Sequence, residues 1–432
     1  MSETTAGGSR PTRRRLVHAV AGVAAAAAGL LKGGVAEASV EAECTSSAAD
    51  RRENLIEPFW GTHQSGITTP AQSHTYTAAL DLVSAKRGDL IGLLRVWTSA
   101  AAAMSAGQTA QPGVVPAVSD SGEAMGLPPA RLTLTFGFGA GLFAKDGKDS
   151  YGLASHRPQA LVDLPSFKGD QLIETRTGGD LSVQACADQP QVAFDAVRRL
   201  VRLAYGVARL RWAQTGFIPH VGPNETPRNL MGFKDGTSNP SSHDPAAMEK
   251  FVWVGNEGPG WMRGGSYVVL RRIRIALEHW DRMPLDFQER TFGRHKVSGA
   301  PLGRNNEFDS LDLNAADEYG TPVIPESAHV RLAASVSNDG AQIFRRPYSY
   351  NDGADFTIER WPPWRQGVAY DAGLFFVCYQ RDPRTGFIKI FSKLAKYDML
   401  NQFVTHTGGG LFACPGGVAP GEFVGQRLIE TT

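Results

Sequence analysis

The chain has 432 residues, 42% apolar and 20% charged, with 44 basic against 43 acidic side chains and a net charge of +1. This is the profile of a globular protein with a large core and room for two or three domains. Near-neutrality excludes the basic excess of a nucleic-acid surface, so no nucleic-acid partner is expected. Four cysteines (Cys44, Cys186, Cys378 and Cys414) stand far apart without a CxxC pair. That excludes a disulfide-dense scaffold and a zinc knuckle. Cys186 and Cys378 lie in apolar runs and read as buried free thiols, while a Cys44–Cys414 disulfide stays open.

Residues 1–38 read as an address. Arg13, Arg14 and Arg15 precede an Ala-rich run from Leu16 to Leu31, and Ala36 and Ala38 follow at A-x-A spacing. Twin arginines before a weakly apolar core predict a Tat signal peptide, hence a periplasmic, extracytoplasmic destination. Tat carries folded cargo, and a cofactor inserted before export is a common reason to fold first. Residues 39–56 read as a linker.

From there strands and helices alternate. HTYTAALDLV (74–83) reads as a strand and residues 86–104 as a helix. Residues 105–130 form a Gly/Pro/Ser-rich loop, and residues 131–143 a half-buried strand with polar and apolar residues alternating. Residues 180–206 read as strand, turn and helix. The second half repeats that grammar: a strand at 264–280, a helix at 283–293, then strand, turn and helix over 373–396. The pairing of VQACADQP with FFVCYQRDP, each ahead of an amphipathic helix, predicts two related α+β units. The expected division is 57–225 and 226–432.

Three segments carry candidate chemistry. GFKDGTSNP (232–240) is a turn by its glycines, Asp-Gly and Asn-Pro. Asp235 there either caps the turn or offers a carboxylate on a loop able to approach a flat ligand. His329, in ESAHVRLAA, competes with nine other histidines. No HExxH or other paired spacing marks a zinc or non-haem iron site. What selects His329 is its place before an arginine-rich strand that could face it across a cofactor. Arg345 and Arg346, in IFRRPYSY, are adjacent, so a strand points them to opposite faces and at most one enters a given pocket. Arg346 reads as solvated or salt-bridged.

Taken together these segments resemble the dye-decolorizing peroxidases. GFKDGTSNP resembles that family's GxxDG signature. HVRLA, FRRPYSY, GLFFVCYQRD and GGGLFACPGG resemble its C-terminal half in order and wording, and EPFWGTHQSGITTP, GGSYVVLRRIRI, HWDRMPL and GRHKVSGAPLG match as well. With the leader, the chain is similar to the subgroup known as periplasmic deferrochelatase/peroxidase. The likeness runs from about Pro58 to about Leu428.

The resemblance implies an α+β fold of two ferredoxin-like domains with antiparallel sheets, dimeric α+β barrel-like, with haem in the C-terminal domain. It implies one haem b per chain, with His329 as the iron ligand and Asp235 and Arg345 as the distal catalytic pair. Gly236, Thr237 and Ser238 should line the haem edge, with Leu374 and Phe376 as apolar distal residues. Ala334, Ser335 and Val336 should also contact the haem, although they stand where the family usually has Asn-Pro-Arg or similar, and Pro347 stands where glycine is commoner. The implied partners are hydrogen peroxide, small aromatic or porphyrin substrates, an iron permease and a second copy of the chain as homodimer.

The chemistry fits those residue types. An imidazole can hold haem iron, a carboxylate can move a proton between the peroxide oxygens, and a permanent cation can balance developing charge. An acidic activity optimum is expected. Bulky substrates would exchange electrons through aromatic side chains near the surface, with Tyr348, Tyr350, Trp361 and Trp364 as candidates. A second function is iron release from haem with the tetrapyrrole intact. A third, from another class, is a haem or iron carrier without turnover.

Overall fold

A computed structural model describes residues 52–108, 122–222, 225–358 and 366–430, without the side chains of 356–358 and 366. The leader, most of the linker, Cys44, Trp361, Trp364 and the centre of the 105–130 loop lie outside the described residues. The last linker residues are not free chain: Arg52 Nε donates to Asp188 Oδ2 at 2.8 Å and Leu55 accepts from the Arg131 amide.

The N-terminal half runs β1 (His74–Leu82), α1 (Arg87–Ser105), β2 (Thr133–Phe138), β3 (Leu181–Ala187), α2 (Pro190–Leu203) and β4 (Ala208–Phe217). Its strands pair antiparallel in the order β2-β3-β1-β4. Leu90, Leu93, Leu94, Trp97, Ala101 and Met104 recur at helical spacing on α1, and all are buried. Pro190 occupies the first turn of α2, where its missing N–H costs nothing. Both helices pack on one face of this sheet.

The C-terminal half runs β5 (Ser266–Ile275), α3 (Leu285–Phe292), α4 (His329–Ala333), β6 (Phe344–Arg345), β7 (Tyr348–Ile358), β8 (Gln366–Gln380), α5 (Phe387–Tyr397) and β9 (Val404–Cys414). Its order, β9-β5-β8-β7, repeats that of the first half. Both halves are ferredoxin-like. Two seams, Phe138 against Ala413 and Phe217 against Ser349, join the sheets into a closed antiparallel barrel. Closure leaves no long open edge to template aggregation.

The closed barrel corrects two readings. Strand β2 is not half-buried, because every residue from Thr133 to Phe138 is buried. Its apolar face meets α1, and its polar face meets the segment before β1, at Ser65, Gly66 and Gln72, rather than water. There Thr133 accepts from Gln72 Nε2 at 3.0 Å and Thr135 donates to the Ser65 carbonyl at 2.7 Å, while on β3 Gln184 accepts from Tyr379 at 2.6 Å. Buried polar groups need such partners. Arg346 is neither solvated nor salt-bridged: it is 4% exposed and donates to the Thr69 carbonyl and to Gln72 Oε1. No carboxylate lies within ion-pair distance of it among the described residues. Cys186, Cys378 and Cys414 are buried free thiols.

Removing a buried guanidinium strands its acceptors as well as leaving a hole. Arg346→Ala should therefore lower apo-protein stability by about 2–5 kcal/mol in urea unfolding. A change within about 0.5 kcal/mol, the size usual for surface positions, would return Arg346 to the solvent.

Candidate active site

A cavity of about 490 Å³ opens in the C-terminal half, within the range of small-molecule and cofactor sites. One wall is sheet: Ile273 and Ile275 from β5, Leu374 and Phe376 from β8, and His406 from β9. Leu374 and Phe376 are two residues apart, so one strand face carries both. Opposite stand His329, Ala333 and Ala334 from α4 and its end, with Phe391 and Leu394 from α5. Ser335 and Val336 also line it, and Val336, 75% exposed, sits at its rim.

The GFKDGTSNP turn closes another side, and its glycines have a backbone reason. Gly232 and Gly236 have φ of +85° and +135°, outside the range that side-chain-bearing residues favour. A Cβ on Gly232 would also come within 2.7 Å of Lys296. Between them the chain turns Asp235 toward Arg345, whose Nη1 donates to Asp235 Oδ1 at 2.7 Å. Asn239 ties the turn to the strand a second time: its Nδ2 donates to the Arg345 carbonyl at 3.0 Å, and its Oδ1 accepts from the Arg345 amide at 2.8 Å. Thr237 donates to Glu307 Oε1 at 2.9 Å, and Lys234 pairs with the other oxygen of that carboxylate. Burial works to raise the Glu307 pKa, but Lys234 and the hydroxyl partners outweigh it and hold it below the usual range. Ser238 accepts from Arg294 at 3.2 Å. Gly236, Thr237 and Ser238 all line the cavity.

Arg345 and Arg346 diverge as strand geometry requires, one to the cavity and one to the barrel interior. Pro347 ends this segment, and β7 begins one residue later.

His329 begins α4, and its Nδ1 donates to Asp398 Oδ2 at 2.6 Å. Asp398 Oδ1 accepts from the Leu400 amide at 2.9 Å, which fixes the carboxylate. Burial works to lower the imidazole pKa, but the charge and hydrogen bond of Asp398 outweigh it and raise the value above ordinary. With Nδ1 engaged, Nε2 makes no hydrogen bond among the described residues, and the side chain keeps a third of its surface exposed, on the cavity. His406 contrasts. Burial, reinforced by the charge of Arg271, pushes its pKa to about 3, and its Nδ1 has no partner. Among the described residues no cluster of three His, Cys, Asp or Glu could hold a metal ion by itself.

Sequence reasoning missed Asp398, Asn239, Arg294 and His406. Asn239 and Arg294 stood in quoted motifs, whereas Asp398 carried no local signal. Tyr348 and Tyr350 are 0% exposed, so neither is a surface relay as expected; closure of the barrel covers both.

A largely apolar cavity with an imidazole held by a carboxylate, and no cluster of metal ligands among the described residues, suits a metallo-macrocycle better than a chelated ion. The comparisons agree. The family description "Dyp-type peroxidase, N-terminal" matches residues 64–218, and "Dyp-type peroxidase, C-terminal" matches 226–419. A dye-decolorizing peroxidase of Thermobifida fusca (strain YX) is 39% identical over 89% of this chain and 86% of that protein. A deferrochelatase of Escherichia coli (strain K12) is 35% identical over 98% of each. Ferric DtpA of Streptomyces lividans superposes with a TM-score of 0.80 at 40% identity, over 89% of this chain and 100% of that one. The fold is that of a haem peroxidase. The chain belongs to the Dyp-type peroxidase family.

The carboxylate behind His329 should matter to cofactor retention. Asp398→Ala should weaken haem retention by about 10–100-fold, read as transfer of haem to an excess of a haem-scavenging protein. Unchanged transfer would leave Asp398 as only the cap of the turn after α5.

Proposed function

We propose that the cavity holds one haem b with His329 as its protein ligand, and that Asp235 and Arg345 activate hydrogen peroxide beside it. The single observation that carries this is the Asp235–Arg345 pair held at 2.7 Å on the wall of the cavity that His329 also lines. Bound haem supplies the redox chemistry by which peroxide oxidises a second substrate. The chain's residues supply the proton chemistry. Asp235 Oδ1 is taken by Arg345, while Oδ2 makes no hydrogen bond among the described residues. Oδ2 is then the atom that accepts a proton from the near peroxide oxygen and returns it to the far one. Arg345 offsets the negative charge that develops as the O–O bond breaks. Leu374 and Phe376 keep that side dry.

The substrates are small phenols, dyes or porphyrinogens. A non-catalytic carrier is not favoured, because storage needs no carboxylate and guanidinium poised together. Iron release from haem, with the tetrapyrrole intact, is a second reading. It is favoured by collinearity over 98% of both chains with the E. coli deferrochelatase. Detection of free protoporphyrin after incubation with haem decides it. On the same reading the Arg13–Arg15 leader sends the protein through the Tat route to the periplasm, where it acts as a homodimer and hands iron to a permease. The division into 57–225 and 226–432 also stands as our reading.

Three outcomes test these roles. His329→Ala should abolish the Soret band of purified protein while His406→Ala keeps it, because of these two cavity histidines His329 is the one with a carboxylate behind it; the reverse pattern would reassign the ligand. Asp235→Asn should slow peroxide activation by about 10²–10⁴ and Arg345→Leu by about 10²–10³, in stopped-flow measurement. A full-rate Asp235→Asn protein beside an inactive Arg345→Leu protein would reduce Asp235 to a turn residue. Changing Arg13, Arg14 and Arg15 to lysine should leave the protein in the cytoplasm, and normal export of that variant would refute the Tat reading.

A further inference from the structure

Glu307 is a carboxylate that the proton chemistry above does not use, yet it braces the turn that carries Asp235. Its side chain is 8% exposed. Oε1 accepts from Thr237 Oγ1 at 2.9 Å, Oε2 accepts from the Lys234 ammonium, and the Thr226 hydroxyl adds a third hydrogen bond. Lys234 and Thr237 flank Asp235 in the chain, one residue before it and two after. The Lys234 stem reaches Glu307 through a slot that Gly299 keeps open. A Cβ on Gly299 would come within 2.7 Å of Lys234 Cδ.

The Lys234 ammonium has another carboxylate beside it in the chain. Lys234 and Asp235 line the same cavity, and Asp235 Oδ2 makes no hydrogen bond among the described residues. Oδ2 is also the oxygen that takes the peroxide proton on the reading above. An ammonium seated on it would occupy the lone pairs which that proton needs, and charge-assisted bonds of this kind are among the strong ones. The charges of the wall favour such a move. Arg294 also lines the cavity, and its printed acceptors, the Gly299 and Glu307 carbonyls and Ser238 Oγ, are all neutral. Without the Glu307 charge, Lys234, Arg294 and Arg345 would face Asp235 as the one carboxylate of the GFKDGTSNP turn. A partly buried cation that loses its partner is strongly disfavoured where it stands.

We propose that Glu307 is a positioning residue for peroxide activation, holding Lys234 away from Asp235 so that Oδ2 stays free. It touches neither the peroxide nor the cofactor and acts through Lys234. Its duty differs from that of Asn239, which fixes the backbone of Arg345 and carries no charge. The proposal rests on the reading of Asp235 as the proton carrier.

Two measurements test it. In a crystal structure of Glu307→Gln apo-protein, Lys234 Nζ should lie within about 4 Å of Asp235 Oδ2, the reach of an ion pair. In stopped-flow measurement on haem-loaded protein at equal haem content, Glu307→Gln should slow peroxide activation about 10²-fold. That is the lower end of what a general acid–base residue supplies. Adding Lys234→Met to Glu307→Gln should restore the rate to within about tenfold of the unmutated protein, because coupled partners are not additive. If Glu307→Gln alone does not fold, the double variant carries the test. A restored rate there shows that Glu307 is needed only while Lys234 is present. A double variant slowed about 10²-fold would show that Glu307 merely shapes the turn. Glu307→Gln at full rate, or with Lys234 still on the substituted side chain, would show that nothing is being held away. Each of these overturns the proposal. Asp235→Asn at full rate would instead overturn the proton-carrier reading itself, wherever Lys234 lies.

Discussion

Two residues of backbone, Phe344 and Arg345, decide how the halves of this molecule and the walls of its cavity meet. Strand β6 pairs only with the end of β8, at Tyr379 and Cys378, yet its alternation sets the next two side chains to opposite duties. Arg345 enters the cavity and meets Asp235. Arg346 enters the barrel and is held by Thr69 and Gln72 from the N-terminal half. A slip of one residue would exchange them. It would take Arg346 away from Thr69 and Gln72 and turn Arg345 away from Asp235. Asn239 resists that slip directly, because its amide bonds both the N–H and the C=O of Arg345 and so reads the register of the strand.

The cavity also separates two histidines that composition alone makes equal. Both line it, but their partners differ. Asp398 stabilises charge and orientation at His329, and the Leu400 amide orients Asp398 in turn. His406 sits against Phe391 with Arg271 as its nearest charge, so protonation is opposed by both burial and repulsion. One imidazole is thereby kept basic and aimed, and the other neutral. A metal ligand needs the first condition.

Much of this was legible in the sequence because it rests on local pattern. The helical spacing of Leu90, Leu93, Leu94 and Trp97 is visible in one dimension, and the two halves share a strand–turn–helix grammar. The GxxDG motif is legible for a physical reason, since two positive-φ positions bracket a carboxylate and glycine is the cheapest residue there. Illegible were contacts that close over long separations. Asp398 and His329 are 69 residues apart, and nothing in KYDML marks its aspartate as a support. Arg346 looked solvated because a single strand cannot reveal what covers its far face. The same blindness made β2 look half-exposed, since alternation of polar and apolar residues is identical whether the polar face meets water or a covering segment of chain.

Why the 490 Å³ cavity opens in the second half follows from what lies over each sheet. In the first half, α1 and α2 lie directly on the strands, and Trp97, Leu93, Val197 and Leu200 fill the space between. Trp97 even spends its indole N–H on the Leu200 carbonyl at 2.8 Å, bridging the two helices. In the second half only α5 keeps the equivalent position. The segment between β5 and β6 replaces a long covering helix with short pieces, α3 and α4, joined by loops. Short pieces cannot blanket a four-stranded sheet, so Ile273, Ile275, Leu374 and Phe376 face open volume instead of a helix. An apolar face that size costs stability when nothing covers it. A flat apolar ligand restores the missing layer, and the loops freed by shortening the helix supply the polar groups around its rim. On this view the cofactor takes the place of a helix, and the GxxDG turn, Arg294 and the His329 turn are what a loop-built wall can offer that a helix could not.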